Sequence, residues 1–184
     1  MEYETQIKEL QDAITIASLN YDVWWVLRGK ETRPKYVDVM NKYNLYFQAA
    51  IGAHFAALVL ALYRLYETRR DTHNIPEFLA GLKKDAVLKI EDLESLHAQY
   101  AIAKPLWVKV SILRNNVYGH RALDLDIENA YEKAGVTPND FRDLVAQTKA
   151  LLNNLTSKLR DSQHAFNLSA TRDTVNLLDA LQAK

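Results

Sequence analysis

Apolar residues recur at spacings of three and four along most of this chain, and no stretch alternates apolar with polar residues between hairpin turns. The pattern predicts helices throughout. A first helix is expected over residues 4–27, with Ile7, Leu10, Ile14, Ala17, Tyr21 and Trp24 on one stripe and Gly29 just past its end. After a polar link at 30–34, a short helical turn over about 36–42 leads into a second long helix from about residue 44. That helix is expected to end in Glu67-Thr68-Arg69-Arg70-Asp71, where the arginines would complement the carbonyl end of its dipole. Asn74-Ile75-Pro76-Glu77 reads as an N-cap, a proline in the first turn and an acid three residues on, opening a short helix to about residue 82.

Residues 85–103 are strongly helical by pattern, and Pro105 is expected to kink or restart the helix. The restarted piece would turn Leu106, Val110 and Leu113 inward and deliver Arg114. An acidic connector at 121–126 and a brief helix ending at Gly135 follow. Thr137-Pro138-Asn139-Asp140 then caps a fourth long helix to about residue 160. A last amphipathic segment at 170–181, carrying Val175, Leu177, Leu178 and Leu181, is expected to pack on the bundle or on a partner. Four long helices with modest connectors predict an all-α, up-and-down four-helix bundle with additional short helices, as one domain over residues 1–184.

Composition narrows the function. The 184 residues are 48% apolar and 25% charged, as in a globular domain. Lysines and arginines equal the acids at 23 each, which argues against a broad basic surface and makes any nucleic-acid contact local. The absence of cysteine excludes disulfides, thiolate metal sites and a cysteine nucleophile, and agrees with a reducing cytoplasm. Met1-Glu2-Tyr3-Glu4-Thr5 is acidic where a signal peptide is basic and then apolar. The apolar stretch at 49–63 is interrupted by His54, ends at Arg64 and is shorter than the roughly 18 to 20 residues of a membrane span, so it is expected to be a core helix.

Candidate chemistry concentrates in Leu113-Arg114-Asn115-Asn116-Val117-Tyr118-Gly119-His120. Arginine keeps its charge and can grip a phosphate with two donors, and histidine moves a proton near neutrality. On an unbroken α-helix the six steps from Arg114 to His120 leave the side chains about 120° and about 9 Å apart. Gly119 is expected to end the helix and let His120 turn back over it. Asn115 can hold a phosphate oxygen or fix the arginine. Tyr118, Asn116 and Arg121 are candidate substrate contacts. The bland alternative is a helix-end histidine with Arg114 paired to an acid such as Asp124 or Asp126.

Glu94-Ser95-Leu96-His97 has the spacing of half a di-iron site, but its nearest counterpart, Asp161-Ser162-Gln163-His164, has the shorter acid at a helix end. Glu94 and His97 therefore read as a solvated face, and His54 and His73 as structural groups. Trp24, Trp25, Tyr43, Tyr46, Phe47, Tyr63 and Tyr66 read as core rather than as a base-stacking surface. The sequence has no glycine-rich phosphate loop, zinc signature or serine elbow, and no metal or cofactor is expected.

The run from Leu113 to His120, late in the third long helix, resembles the arginine, polar residue, histidine signature of the HEPN superfamily. Tyr21-Asp22-Val23-Trp24-Trp25, Glu31-Thr32-Arg33-Pro34 and Ala61-Leu62-Tyr63-Arg64-Leu65-Tyr66-Glu67 also resemble its abortive-infection U-type branch. The resemblance implies a bundle that pairs about a two-fold axis and, in active members, metal-independent RNA cleavage of the toxin or phage-defence kind. It would give Arg114 the scissile phosphate, His120 the proton and Asn115 the phosphate's orientation. Expected partners are a second copy of the chain, RNA such as a tRNA loop, and a restraining antitoxin. The other reading is a non-catalytic helical module that binds a protein or nucleic acid with the same helix end.

Overall fold

The computed structural model describes residues 2–119 and 127–183, and among these all regular structure is helical. The elements are α1 (Glu2–Arg28), a 3₁₀ turn (Arg33–Tyr36), α2 (Val37–Lys42), α3 (Asn44–Tyr66), α4 (Ile75–Lys84) and α5 (Ile90–Leu113). A π-helical turn (Arg114–Gly119), α6 (Ile127–Ala134), α7 (Pro138–Arg160) and α8 (Thr171–Gln182) complete them.

The long helices α1, α3, α5 and α7 pack in a ring, each against the next and α7 back onto α1. Their sense alternates. Trp24 late in α1 and Phe141 early in α7 meet Phe55, which also meets Tyr118 just beyond α5. At the opposite end, Lys158 late in α7 pairs with Asp92 early in α5. The predicted stripe of α1 faces the shared core, with Ile7, Leu10, Ile14 and Ala17 at most 2% exposed. The Tyr66 hydroxyl sits 2.7 Å from Thr148, whose own hydroxyl donates to the Leu144 carbonyl, so Tyr66 is the donor of the first bond. A second cluster, which includes Val26, Met40, Phe47 and Leu178, docks α2 and α8 beside the end of α1.

Local signals placed several boundaries. Asn74 accepts from the Glu77 N–H, and Thr137 and Asp140 form a reciprocal capping box. Three expectations need correction. α3 ends at Tyr66, so Arg69 and Arg70 lie beyond its last turn, and Arg69 holds Asp71 with two hydrogen bonds instead. The helix expected from residue 85 begins at Ile90, because Ala86 takes a left-handed backbone (φ 51°) that turns the chain after α4. α5 runs through Pro105 without a break, so the helix is not restarted there. Pro105 and Ala101 are both exposed, so the Ala101 carbonyl that loses its helical partner can bond water.

Two further differences concern burial. Leu177 of α8 is 51% exposed, with Leu178 taking the buried place. Among the described residues α3 is the one helix long and apolar enough to cross a membrane, with a mean hydropathy of 1.8. Its length therefore decides nothing, and its packing is the informative property: Phe55, Leu58, Val59, Leu62, Leu65 and Tyr66 are buried in the core shared with the other long helices.

Candidate functional site

Arg114 is the first residue after α5, where the backbone passes from α-helical to π-helical hydrogen bonding. The expected α-helix up to Gly119 is thus replaced by a wider turn in which each N–H reaches back five residues. Asn116 shows a local cause. Its side-chain amide donates to the Ile112 carbonyl at 2.6 Å, the acceptor its backbone N–H would take in an α-helix.

The Arg114 guanidinium lies over the Tyr63 ring, 4.4 Å from the centroid. Tyr63 is itself fixed. Its ring stacks on Trp107, and its carbonyl accepts from the Trp107 indole N–H at 3.1 Å. Arg114 Nη1 donates to Asn115 Oδ1 at 2.9 Å, so Asn115 fixes the arginine, one of its two expected roles. Among the described residues Arg114 has no carboxylate partner, and its buried Nε has no acceptor. A half-buried cation held by a ring face and a neutral amide retains its attraction for an anion.

Tyr118 lies elsewhere along the site. Its ring meets Phe55 edge-on, and Phe55 stacks on Tyr131 of α6. Burial raises both the Tyr118 and the Tyr131 hydroxyl above the ordinary tyrosine range, so both remain protonated. Phe55 and Tyr63 are eight residues apart on α3, about 12 Å of rise, which separates the seats of Tyr118 and Arg114 by about two turns. Asn116 is tied to its own helix. His120 and Arg121, together with Asp124 and Asp126, lie outside the described residues.

Other candidates resolve more simply. Glu94 and His97 are exposed on α5. His54 Nδ1 is 2.8 Å from Asn20 Oδ1, and burial lowers its pKa. His73 pairs with Glu9 from α1 at 3.4 Å, a carboxylate that sequence spacing did not reveal. Trp24, Phe47 and Tyr66 are buried, whereas Tyr43 and Tyr46 are 40% and 63% exposed, so the reading of these aromatics as core fails for that pair. The aromatic seat of Arg114 was missed. A signal was present: Trp107 and Arg114 are seven residues apart, two turns along one helical stripe.

The family model described as AbiU2, of the HEPN group, matches residues 2–179. The chain belongs to the HEPN AbiU2 family. No curated protein and no solved structure matches it. Membership gives this HEPN protein an abortive-infection-associated role and agrees with its all-helical bundle.

Proposed function

We propose that this AbiU2-family protein is a metal-independent endoribonuclease of the toxin or phage-defence type, acting as a homodimer. The observation that carries the reading is the Arg114 guanidinium, seated on Tyr63 without a carboxylate among the described residues, six residues before His120. Arg114 neutralises the scissile phosphate. A ribose 2′-oxygen attacks phosphorus while a base takes its proton, and the 5′-oxygen departs with a proton from an acid. One imidazole cannot serve both sides of phosphorus at once, so a two-fold dimer supplies a second His120 and a second Arg114. α3 and α5, which seat Arg114, carry exposed Leu60, Ile102 and Val108, apolar side chains that a second copy would cover. The zero net charge argues against RNA in general and favours either a narrowly defined target, such as a tRNA loop, or the non-catalytic binding module.

The test is incubation of RNA and of the same sequence as DNA with wild-type and His120→Ala protein, in the presence of chelator. The expected result is cleavage of RNA alone, 2′,3′-cyclic phosphate ends, and loss of cutting in the variant. RNA left intact by wild type, or cut equally by the variant, overturns the reading and leaves a non-catalytic binding module.

A further inference from the structure

Beside the Tyr118 end of this site lies a cavity of about 590 Å³, within the roughly 300–1,000 Å³ of small-molecule sites. Tyr118 and Tyr131, both partly exposed, supply its accessible aromatic surface, and Trp24, Phe47 and Phe55 behind it are buried in the core. Trp24 and Phe55 are stacked with centroids 4.9 Å apart, and Phe55 and Tyr131 are near-parallel, 18° between planes. Arg28, one helical turn past Trp24, and Arg33 of the 3₁₀ turn stand at its rim, both exposed. Among the described residues neither arginine makes an ion pair and no acid lines the cavity.

The α3 wall is polar and open. Gln48 donates to Asn44 Oδ1 at 3.0 Å, which leaves the Asn44 amide hydrogens and the Gln48 carbonyl oxygen for another partner. One turn on is Gly52, where an added Cβ would meet nothing within 4 Å. Glycine weakens a helix interior relative to alanine, and here it keeps bare backbone on the cavity wall.

We infer that this cavity binds one unpaired ribonucleotide, its base against Tyr118, Tyr131 and the Asn44–Gln48 edge and its phosphate between Arg28 and Arg33. Aromatic faces accept any base, arginines take a phosphate with paired donors, and amides read a base edge. A simple acidic ligand would leave the amide edge and the accessible faces of Tyr118 and Tyr131 unused. An apolar one would leave two cations unanswered. The inference rests on the ribonuclease reading for its biological setting: held about two turns of α3 from Arg114, the bound nucleotide would select which RNA loop is cut. The same chemistry suits a nucleotide within a strand or a free one.

Titration calorimetry distinguishes these sources, using wild-type protein with AMP, GMP, CMP and UMP and with a 2′-O-methylated single-stranded oligonucleotide that resists cleavage. The variants are Arg28→Ala/Arg33→Ala and Gly52→Leu, with Lys83→Ala on exposed α4 surface as control and melting temperature as the check on folding. Both cavity variants are expected to weaken binding about tenfold or more at unchanged melting temperature, with the control unaffected. Tighter binding of the strand than of any mononucleotide assigns the cavity to RNA, and equal binding assigns it to free nucleotide. Both uphold the site. Wild-type affinity in folded cavity variants, absence of binding to every probe, or equal competition by polyaspartate overturns it. Binding that follows the variants in a protein that leaves RNA intact upholds the cavity and removes only the ribonuclease reading.

Discussion

Five residues apart, Lys109 of α5 and Arg114 of the π-turn meet opposite surroundings. The Lys109 ammonium bonds the Asp140 carboxylate at 2.9 Å, and that carboxylate also closes the Thr137 capping box. Arg114 faces an aromatic ring and an amide, with no acid among the described residues. The first cation is committed to joining α5 to the start of α7. The second has its geometry fixed by an aromatic face and a neutral amide, neither of which carries a charge. A cation fixed by neutral groups is suited to an incoming anion, because it needs no reorientation and those groups carry no charge to displace.

Substitution should separate the two. Asp140→Ala, which removes both the cap and the Lys109 partner, is expected to lower unfolding free energy by about 2 kcal/mol in urea titration, with little change in RNA cleavage once folded. Tyr63→Leu is expected to reduce cleavage about tenfold, whereas Tyr63→Phe keeps the ring face and most of the rate. Matching losses in both Tyr63 variants would place the hydroxyl, not the ring, behind Arg114. Arg114→Ala itself should alter stability by no more than about 1 kcal/mol, the scale of a cation on an aromatic face.

The smallest effect is on pH dependence. Burial pushes the Asp140 carboxyl up, but the Lys109 ammonium and the Thr137 hydroxyl and backbone N–H outweigh it and hold its pKa below the ordinary value. The resulting stability is full above the unfolded pKa of about 3.9 and is lost as pH falls through the folded value. Acid unfolding of Asp140→Asn should therefore show a shallower loss below about pH 4 than wild type. Parallel curves would mean that Asp140 contributes nothing through its charge.

The same contrast explains what was legible from sequence. Asp140 and Thr137 announce their cap because both partners sit within four residues, and the stripe of α1 is visible for a similar reason. Arg114 to Tyr118 stood out by residue type, but Tyr63, which seats Arg114, and Tyr131, which meets Tyr118, come from other helices. Local pattern carries no such pairing. Arg69 misled because Asp71 beside it competes with a helix end for its charge. Pro105 did not restart the helix, because solvent can satisfy the carbonyl that a proline frees. The π-turn left a faint trace in Asn115-Asn116, poor helix formers whose amides compete with the backbone.

The central claim is that Arg114 is held ready for a phosphate and does little else. Its most direct test is the single-turnover cleavage rate of a ribo-oligonucleotide by wild-type and Arg114→Ala protein, with unfolding measured on the same samples. A rate loss of about a hundredfold or more is expected at nearly unchanged stability. Cleavage at the wild-type rate, or a loss that merely tracks unfolding, would contradict it.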